Sequence, residues 1–145
     1  MPKVTPPVDD PDDRYFWEGA REGRLMLQSC AACGALRHPP SPMFARCGST
    51  ERDATASSGR GRIHSWILSH HPSAPDDAPR VVVLVELEEG CRVVSNLLDV
   101  APEDVRNDMA VEVCFVERDG VVLPQFRSAP TPAPAGVGAP AQGKE

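Results

Sequence analysis

Alternation of apolar and polar positions dominates the second half of the chain. Arg62–Ser69 (RIHSWILS), Arg80–Leu87 (RVVVLVEL), Cys91–Leu98 (CRVVSNLL), Met109–Glu117 (MAVEVCFVE) and Val121–Phe126 (VVLPQF) are short runs rich in Val, Ile and Leu. That composition suits a pleated, half-buried surface, and each run predicts a strand. Turn signals separate them. Glu88-Glu89-Gly90 and Arg118-Asp119-Gly120 are short hairpin connections in which Gly supplies a positive φ. A Pro- and Asp-rich loop follows the first strand over 70–79, and 100–108, with Pro102-Glu103-Asp104, has room for one helical turn. Five strands with a longer excursion between the third and fourth is the plan of a small Greek-key barrel, expected over residues 59–127.

The first half follows other rules. Asp12-Asp13, followed by Tyr15, Phe16, Trp17 and Ala20, predicts a short helix over 12–23. A carboxylate at its start would accept orphan backbone N–H groups, and Gly23 is placed to end it. Neighbouring helical residues point about 100° apart, so Tyr15, Phe16 and Trp17 cannot all face one core. One of them is then available to a second surface, unless all three pack on the remainder of the protein. Arg24–Ser29 (RLMLQS) predicts a strand running into Cys30, and residues 34–47 return through Pro39, Pro40 and Pro42, which exclude a helix. Glu51–Gly59 reads as a polar link to the barrel.

Composition narrows the picture. The chain has 145 residues and 16 prolines, many of them near its ends. Residues 1–11 and 128–145, rich in Pro, Ala and Gly, lack the large apolar side chains that would offset their ordering entropy, so both are expected to be extended or disordered. The formal charge of −6 is spread over interleaved acidic and basic residues. This argues against a nucleic-acid surface, which needs a basic stripe. No apolar run reaches the length of a membrane span and no signal peptide is legible; with five cysteines, three of them clustered, the expectation is a soluble cytoplasmic protein with free thiols.

The cysteine cluster carries the most specific chemistry. Cys30-Ala-Ala-Cys33-Gly34 is a metal knuckle: two thiolates two residues apart share one ion, and Gly lets the chain turn so that backbone N–H groups face the sulfurs. Phe44-Ala-Arg-Cys47-Gly48 has the shape of a second knuckle with Phe44 in its first ligand position. The remaining set is Cys30, Cys33 and Cys47, with His38 or water as a fourth ligand to zinc. The alternative is a ribbon without metal, in which Phe44 fills the ion's place by packing. Cys91 and Cys114 fall inside predicted strands and read as small buried hydrophobes. His70-His71 lies in a loop with no accompanying metal or base motif, and Glu86, Glu88 and Glu89 read as a solvated hairpin edge. No catalytic set is legible.

These residues, taken in order, resemble a family. Tyr15-Phe16-Trp17-Glu18-Gly19, Glu22-Gly23-Arg24-Leu25, Cys30-Ala-Ala-Cys33-Gly34, Arg46-Cys47-Gly48-Ser49, Ser58-Gly59-Arg60-Gly61, Val85-Glu86-Leu87-Glu88-Glu89-Gly90 and Leu123-Pro124-Gln125-Phe126-Arg127 are similar to the acyl-CoA-associated OB-fold proteins with a rubredoxin-like zinc ribbon, the domain of unknown function 35 family. The resemblance implies a mainly β chain: a short N-terminal helix, a rubredoxin-like cysteine ribbon over 24–50, and a five-stranded OB-fold barrel. Three of the family's four cysteine ligands map to Cys30, Cys33 and Cys47, and the other falls on Phe44. A turn glycine of the family is replaced by Asn107-Asp108. The resemblance also implies a hetero-oligomeric partner, a thiolase-like aldolase or acyltransferase acting on acyl-CoA thioesters, including those of steroid side-chain breakdown. In such pairs the thiolase-like subunit carries the chemistry, and acyl-CoA reaches this chain through it. Tyr15, Phe16, Trp17 and Trp66 are the expected partner anchors. The competing expectation is an OB module for single-stranded nucleic acid. It is disfavoured because residues 80–98 offer no aromatic and only Arg80 and Arg92.

Overall fold

The computed structural model describes residues 3–130; the tail expectation from residue 131 onward falls outside them. Helix α1 (Arg14–Arg21) stops where Gly23 adopts φ 72°. There the Gly23 N–H donates to the Ala20 carbonyl (3.1 Å) and the Arg24 N–H to that of Gly19 (2.8 Å), the paired bonds of a Schellman cap. The helix start departs from expectation. Asp13 sits at the N-cap, yet its carboxylate caps no backbone N–H. It accepts from the Trp17 indole N–H at 3.2 Å instead, while Asp12 pairs with Arg52 at 2.6 Å. The N–H groups of Arg14, Phe16 and Trp17 donate to the carbonyls of Asp10 and Asp13, which leaves the carboxylates to these side-chain donors.

Strands β1 (Met26–Cys30), β2 (Leu36–Arg37) and β3 (Arg52–Ala56) form an antiparallel sheet in the order β2-β1-β3. β3 corrects the reading of 51–59 as a polar link. β1 is buried from Leu27 to Cys30, and a buried strand needs hydrogen-bond partners along both edges. β3 supplies one edge in register Met26↔Ala56 through Cys30↔Arg52, with Thr55 Oγ1 donating to Ser29 Oγ at 3.1 Å. Its own side chains are mostly exposed, so it shows no apolar alternation. Its pairing is dictated by β1.

The barrel strands are β4 (Arg60–Ser69), β5 (Arg80–Leu87), β6 (Arg92–Leu98), β7 (Ala110–Arg118) and β8 (Val121–Ser128), with a 3₁₀ turn at Pro102–Asp104. They agree with the five predicted strands to within two residues at each end. They close in the order β4-β5-β6-β8-β7. β6 and β8 run parallel, and three residue pairs, Arg60↔Glu112 to Arg62↔Ala110, close β4 onto β7. This is the five-stranded OB barrel. The excursion between β6 and β7 ends at Asp108 with φ 64°, a conformation Asp tolerates better than most residues.

Strict alternation in β5 turns Val81, Val83, Val85 and Leu87 inward. β4 pairs with it in phase only as far as Ile63↔Val85; a bulge at His64 then resets the register to Ser65↔Leu84. After that reset Trp66 stands opposite inward-facing Val83 and packs against the core, whereas Ile67 points out, 63 % exposed. Leu25 and Leu27 belong to this same core, with Ile63 and Phe126, so the ribbon sheet and the barrel share one apolar interior. The junction between them is held by the β5–β6 turn. Glu89 accepts from Ser57 Oγ (2.9 Å) and the Ser58 N–H (2.6 Å), and Glu88 pairs with Arg60 at 3.2 Å. Glu88 and Glu89 therefore clasp residues 57–60; Glu86 and Glu88 lie exposed on the hairpin edge and turn as expected, while Glu89 is half-buried against Ser57 and Ser58.

Two consequences are measurable. At Gly61 a Cβ would lie 2.4 Å from the Glu86 carbonyl oxygen and 2.8 Å from Val85 Cγ1. Gly61→Ala should lower stability to urea by roughly 1–3 kcal/mol, because main chain must move to admit it. Tyr15 has a buried hydroxyl with no hydrogen-bond partner among the described residues, and burial, reinforced by Asp13, pushes its pKa up to about 12. A pKa raised above the unfolded value of about 10 means the fold favours the neutral phenol. That stability is present below about pH 10 and is lost as pH rises toward about 12. Tyr15→Phe should leave melting at neutral pH unchanged or higher and flatten this alkaline decline.

Candidate metal centre and partner surface

The two knuckles have the same backbone. In the first, the Gly34 N–H donates to the Cys30 carbonyl (2.9 Å) and the Cys30 N–H to that of Ala35 (2.9 Å); in the second, the Gly48 N–H donates to the Phe44 carbonyl (2.8 Å) and the Phe44 N–H to that of Ser49 (2.9 Å). Gly34 and Gly48 both adopt φ 72°, which a Cβ would oppose. The correspondence places Phe44 where the first knuckle has Cys30.

Cys30, Cys33 and Cys47 converge, their sulfurs all within 4.8 Å of one another and the Cys30 and Cys47 sulfurs 3.5 Å apart. A tetrahedral zinc with Zn–S of about 2.3 Å has sulfur–sulfur edges of about 3.8 Å, so the spacing fits one ion. Burial alone would raise the Cys30 pKa. Backbone N–H groups of Cys33 and Ala32, with the Cys47 and Cys33 thiols, outweigh it and bring the thiol down to about 7. Cys47 moves the other way: the Ser49 N–H favours its thiolate, but the neighbouring Cys33 and Cys30 groups prevail and raise it. The donor set, three thiols preorganised by backbone N–H groups, suits a soft or borderline cation.

His38 does not complete the set. Its ring lies 5.2 Å from that of Phe16, its Nδ1 is buried without a hydrogen-bond partner among the described residues, and it falls outside the three-sulfur cluster. Burial lowers its pKa. Phe44 is 2 % exposed, with the Arg37 guanidinium 5.4 Å above its ring.

The other titratable groups are absorbed by structure. Cys91 is buried in the core and Cys114 half-buried, with both thiols pushed up chiefly by burial. His71 Nδ1 accepts from the Ser73 N–H at 3.2 Å within the loop after β4. A groove of about 680 Å³ beside the β4–β7 seam is lined by Arg60, Arg62, His64, Glu86, Glu88 and Asp108 among others. These charges mostly satisfy one another: Arg60 with Glu88, His64 and Arg92 with Glu86, and Arg62 with the Asp108 carbonyl.

Tyr15, Phe16 and Trp17 are all half-buried. Phe16 packs against the core, and its ring meets that of Trp17 edge-on at 5.1 Å. Trp66 is also partly buried against the core. The more exposed apolar surface lies where sequence reasoning did not place it, on the outer face of β4, β5 and β6. Cross-strand pairing sets Ile67 beside Val82 and Leu84 beside Val94. Ile67 and Val94 are 63 % and 67 % exposed. The signal was present in the alternation of β5 and β6, but the bulge at His64 that turns Ile67 outward was not legible.

Known proteins match over the same segments. The family described as ChsH2, rubredoxin-like zinc ribbon domain, matches residues 17–51, and that described as ChsH2, C-terminal OB-fold domain, matches residues 54–116. The chain is 42% identical to a probable enoyl-CoA hydratase alpha subunit of Thermomonospora curvata, over 85% of this chain and 39% of that protein. It is 36% identical to the 3-oxo-4,17-pregnadiene-20-carboxyl-CoA hydratase alpha subunit of Mycobacterium tuberculosis, over 77% and 36%. It thus spans less than two fifths of these curated relatives. A DUF35 domain-containing scaffold protein of Methanocaldococcus jannaschii is 35% identical, over 74% of each chain. The solved Ltp2-ChsH2(DUF35) aldolase contains a chain 42% identical to this one, with TM-score 0.78, over 85% of this chain and 98% of that one. Sequence, fold and domain order agree, and the chain belongs to the DUF35 family, with a ChsH2-type zinc ribbon followed by an OB-fold barrel.

Proposed function

We propose that this chain is a non-catalytic accessory subunit that binds and supports a thiolase-like enzyme, an aldolase or acyltransferase, acting on acyl-CoA thioesters in steroid side-chain degradation. The observation that carries the reading is the likeness to nearly the whole DUF35 chain of an Ltp2-ChsH2 aldolase. The alpha-subunit relatives, one of them named for a pregnadiene carboxyl-CoA, support the substrate class. The charged side chains beside the groove at the β4–β7 seam are paired with one another, which suits a binding module better than acid–base chemistry. Acyl-CoA would meet this chain at the complex, through the partner.

Zinc held by Cys30, Cys33 and Cys47 would tie β1 to the second knuckle and so fix the ribbon. Protein purified without chelator should carry near-stoichiometric zinc by elemental analysis. Cys30→Ser should then cost several kcal/mol of stability, because binding free energy at a structural site is folding free energy. Zinc near zero, with Cys30→Ser neutral, would mean that Phe44 packs a centre without metal.

The outer face bearing Ile67 and Val94, with Trp17 of the aromatic group, supplies anchors for the partner, since exposed apolar patches of this kind mark interaction surfaces. Coexpressed with a candidate thiolase-like subunit, the chain should elute as a stable complex and show no turnover of acyl-CoA alone. Ile67→Asp with Val94→Asp should weaken association by roughly 2 kcal/mol or more with an unchanged melting temperature. Trp66→Ala should instead lower the melting temperature, through loss of about 3–5 kcal/mol where its ring is packed. Robust lyase, thioesterase or acyltransferase activity from the isolated chain would overturn the accessory reading.

A further inference from the structure

Beyond the bulge at His64, β4 has a neighbour on one side only. Residues 65–69 pair with β5, from Ser65↔Leu84 to Ser69↔Arg80, whereas the pairing of β4 with β7 ends at Arg62↔Ala110. The last bonds on the β7 side join the Ile63 N–H to the Met109 carbonyl (3.0 Å) and the Asp108 N–H to the Ile63 carbonyl (2.8 Å). Among the described residues, no strand or loop backbone pairs with the far edge of residues 65–69. Alternate residues of an antiparallel strand direct their N–H and C=O groups to opposite sides, so this edge is an unfilled ladder. Folded proteins blunt such edges with Lys, Pro or inward-pointing charge. Residues 64–70, His-Ser-Trp-Ile-Leu-Ser-His, contain none of these, and His64, Ser65, Ile67, Leu68 and His70 are exposed.

The order of these residues is close to a palindrome centred on Ile67: Trp66 mirrors Leu68, Ser65 mirrors Ser69, and His64 mirrors His70. Two copies of one strand, paired antiparallel about a two-fold axis, set each residue opposite its mirror position. We propose that this edge binds the same edge of a second copy of the chain, antiparallel, with Ile67 opposite its own counterpart. Residues opposite one another on such a ladder share a face. Ile67 then meets Ile67, Trp66 stands beside Leu68, and Ser65 meets Ser69, so apolar pairs with apolar and hydroxyl with hydroxyl. Charge permits it. A two-fold opposes like charges wherever a charged residue mirrors one of its own sign, yet residues 63–75 hold no Asp, Glu, Lys or Arg, in a chain of net charge −6. The sheets of the two copies become continuous across the axis. A single strand pair lies at the small end of specific interfaces, so the dimer is weak and reversible. Its bonds are made by main chain at the edge, and Val94 on the outer face lies two strands away. The pairing therefore does not rest on the accessory reading.

Analytical ultracentrifugation of the full-length chain from about 10 μM to about 1 mM tests this, with the mass expected to rise from monomer to dimer across the range. Ile67→Lys sets two ammonium groups against each other at the axis. It should stay monomeric, with an unchanged melting temperature at low concentration because Ile67 is exposed. Val94→Lys should dimerise like the wild type. Hydrogen exchange locates the contact independently. Amides of residues 65–69 that face away from β5 should slow as concentration rises, while those on the outer edge of β3 should not. A chain monomeric throughout would overturn the proposal. So would a dimer that Val94→Lys abolishes, which would put the contact on the outer face, or one that leaves the 65–69 amides unprotected. Edge amides protected only when a candidate thiolase-like subunit is added would assign the edge to that partner, overturning the proposal and leaving the accessory reading intact.

Discussion

The burial of Leu25 and Leu27 in the barrel's apolar interior is the contact on which the remainder of this structure depends. A three-stranded sheet of this size, one strand of which has two residues, cannot exclude enough water to be stable by itself. By lending two leucines of β1 and its approach to the barrel core, the ribbon gains a hydrophobic floor and the barrel gains a plug. Everything distal to β1 inherits its position from that insertion. Cys30 is the last residue of the strand, so the first sulfur of the metal centre is fixed relative to the barrel by the same packing that holds Leu27.

The Glu88-Glu89 turn acts with that insertion. The short segment 57–60 leaves β3 and becomes β4, and it would be a free hinge if nothing held it. Glu89 grips it from the β5–β6 hairpin, and the Ser58 N–H and Ser57 hydroxyl bring its carboxyl below the usual range in spite of partial burial. The orientation of ribbon to barrel is thus set by two leucines at the start of β1 and a carboxylate in the β5–β6 turn. These are interactions of different kinds, and they respond differently to salt and temperature.

Most of the barrel was legible because its strands are rich in Val, Ile and Leu and its turns carry Gly and Asp. Strand β3 was not, since RDATA is an edge strand whose pairing comes from what β1 requires. The helix was legible in place but not in its cap: Asp13 has the right position, yet the indole of Trp17 takes its carboxylate. The three cysteines could be grouped from spacing alone, and Phe44 could be recognised as the odd residue from the glycine register. The direction of His38 could not, because it depends on the ring of Phe16, from the helix, packing beside it. Trp66 and Ile67, adjacent in sequence, were separable only by knowing the bulge at His64.

That bulge has a consequence for how the surface can change over time. A regular strand couples its two faces, because any slip that alters the outside also alters the inside. Here the extra residue absorbs the offset between Gly61 and Arg62, which pair with both β5 and β7, and Ser65–Ser69, which pairs with β5 alone. The distal half of β4 can therefore be lengthened, trimmed or recoloured outside without disturbing the seam that closes the barrel. Related chains could exchange partners by rewriting residues such as Ile67 and Val94, each keeping the same core beneath.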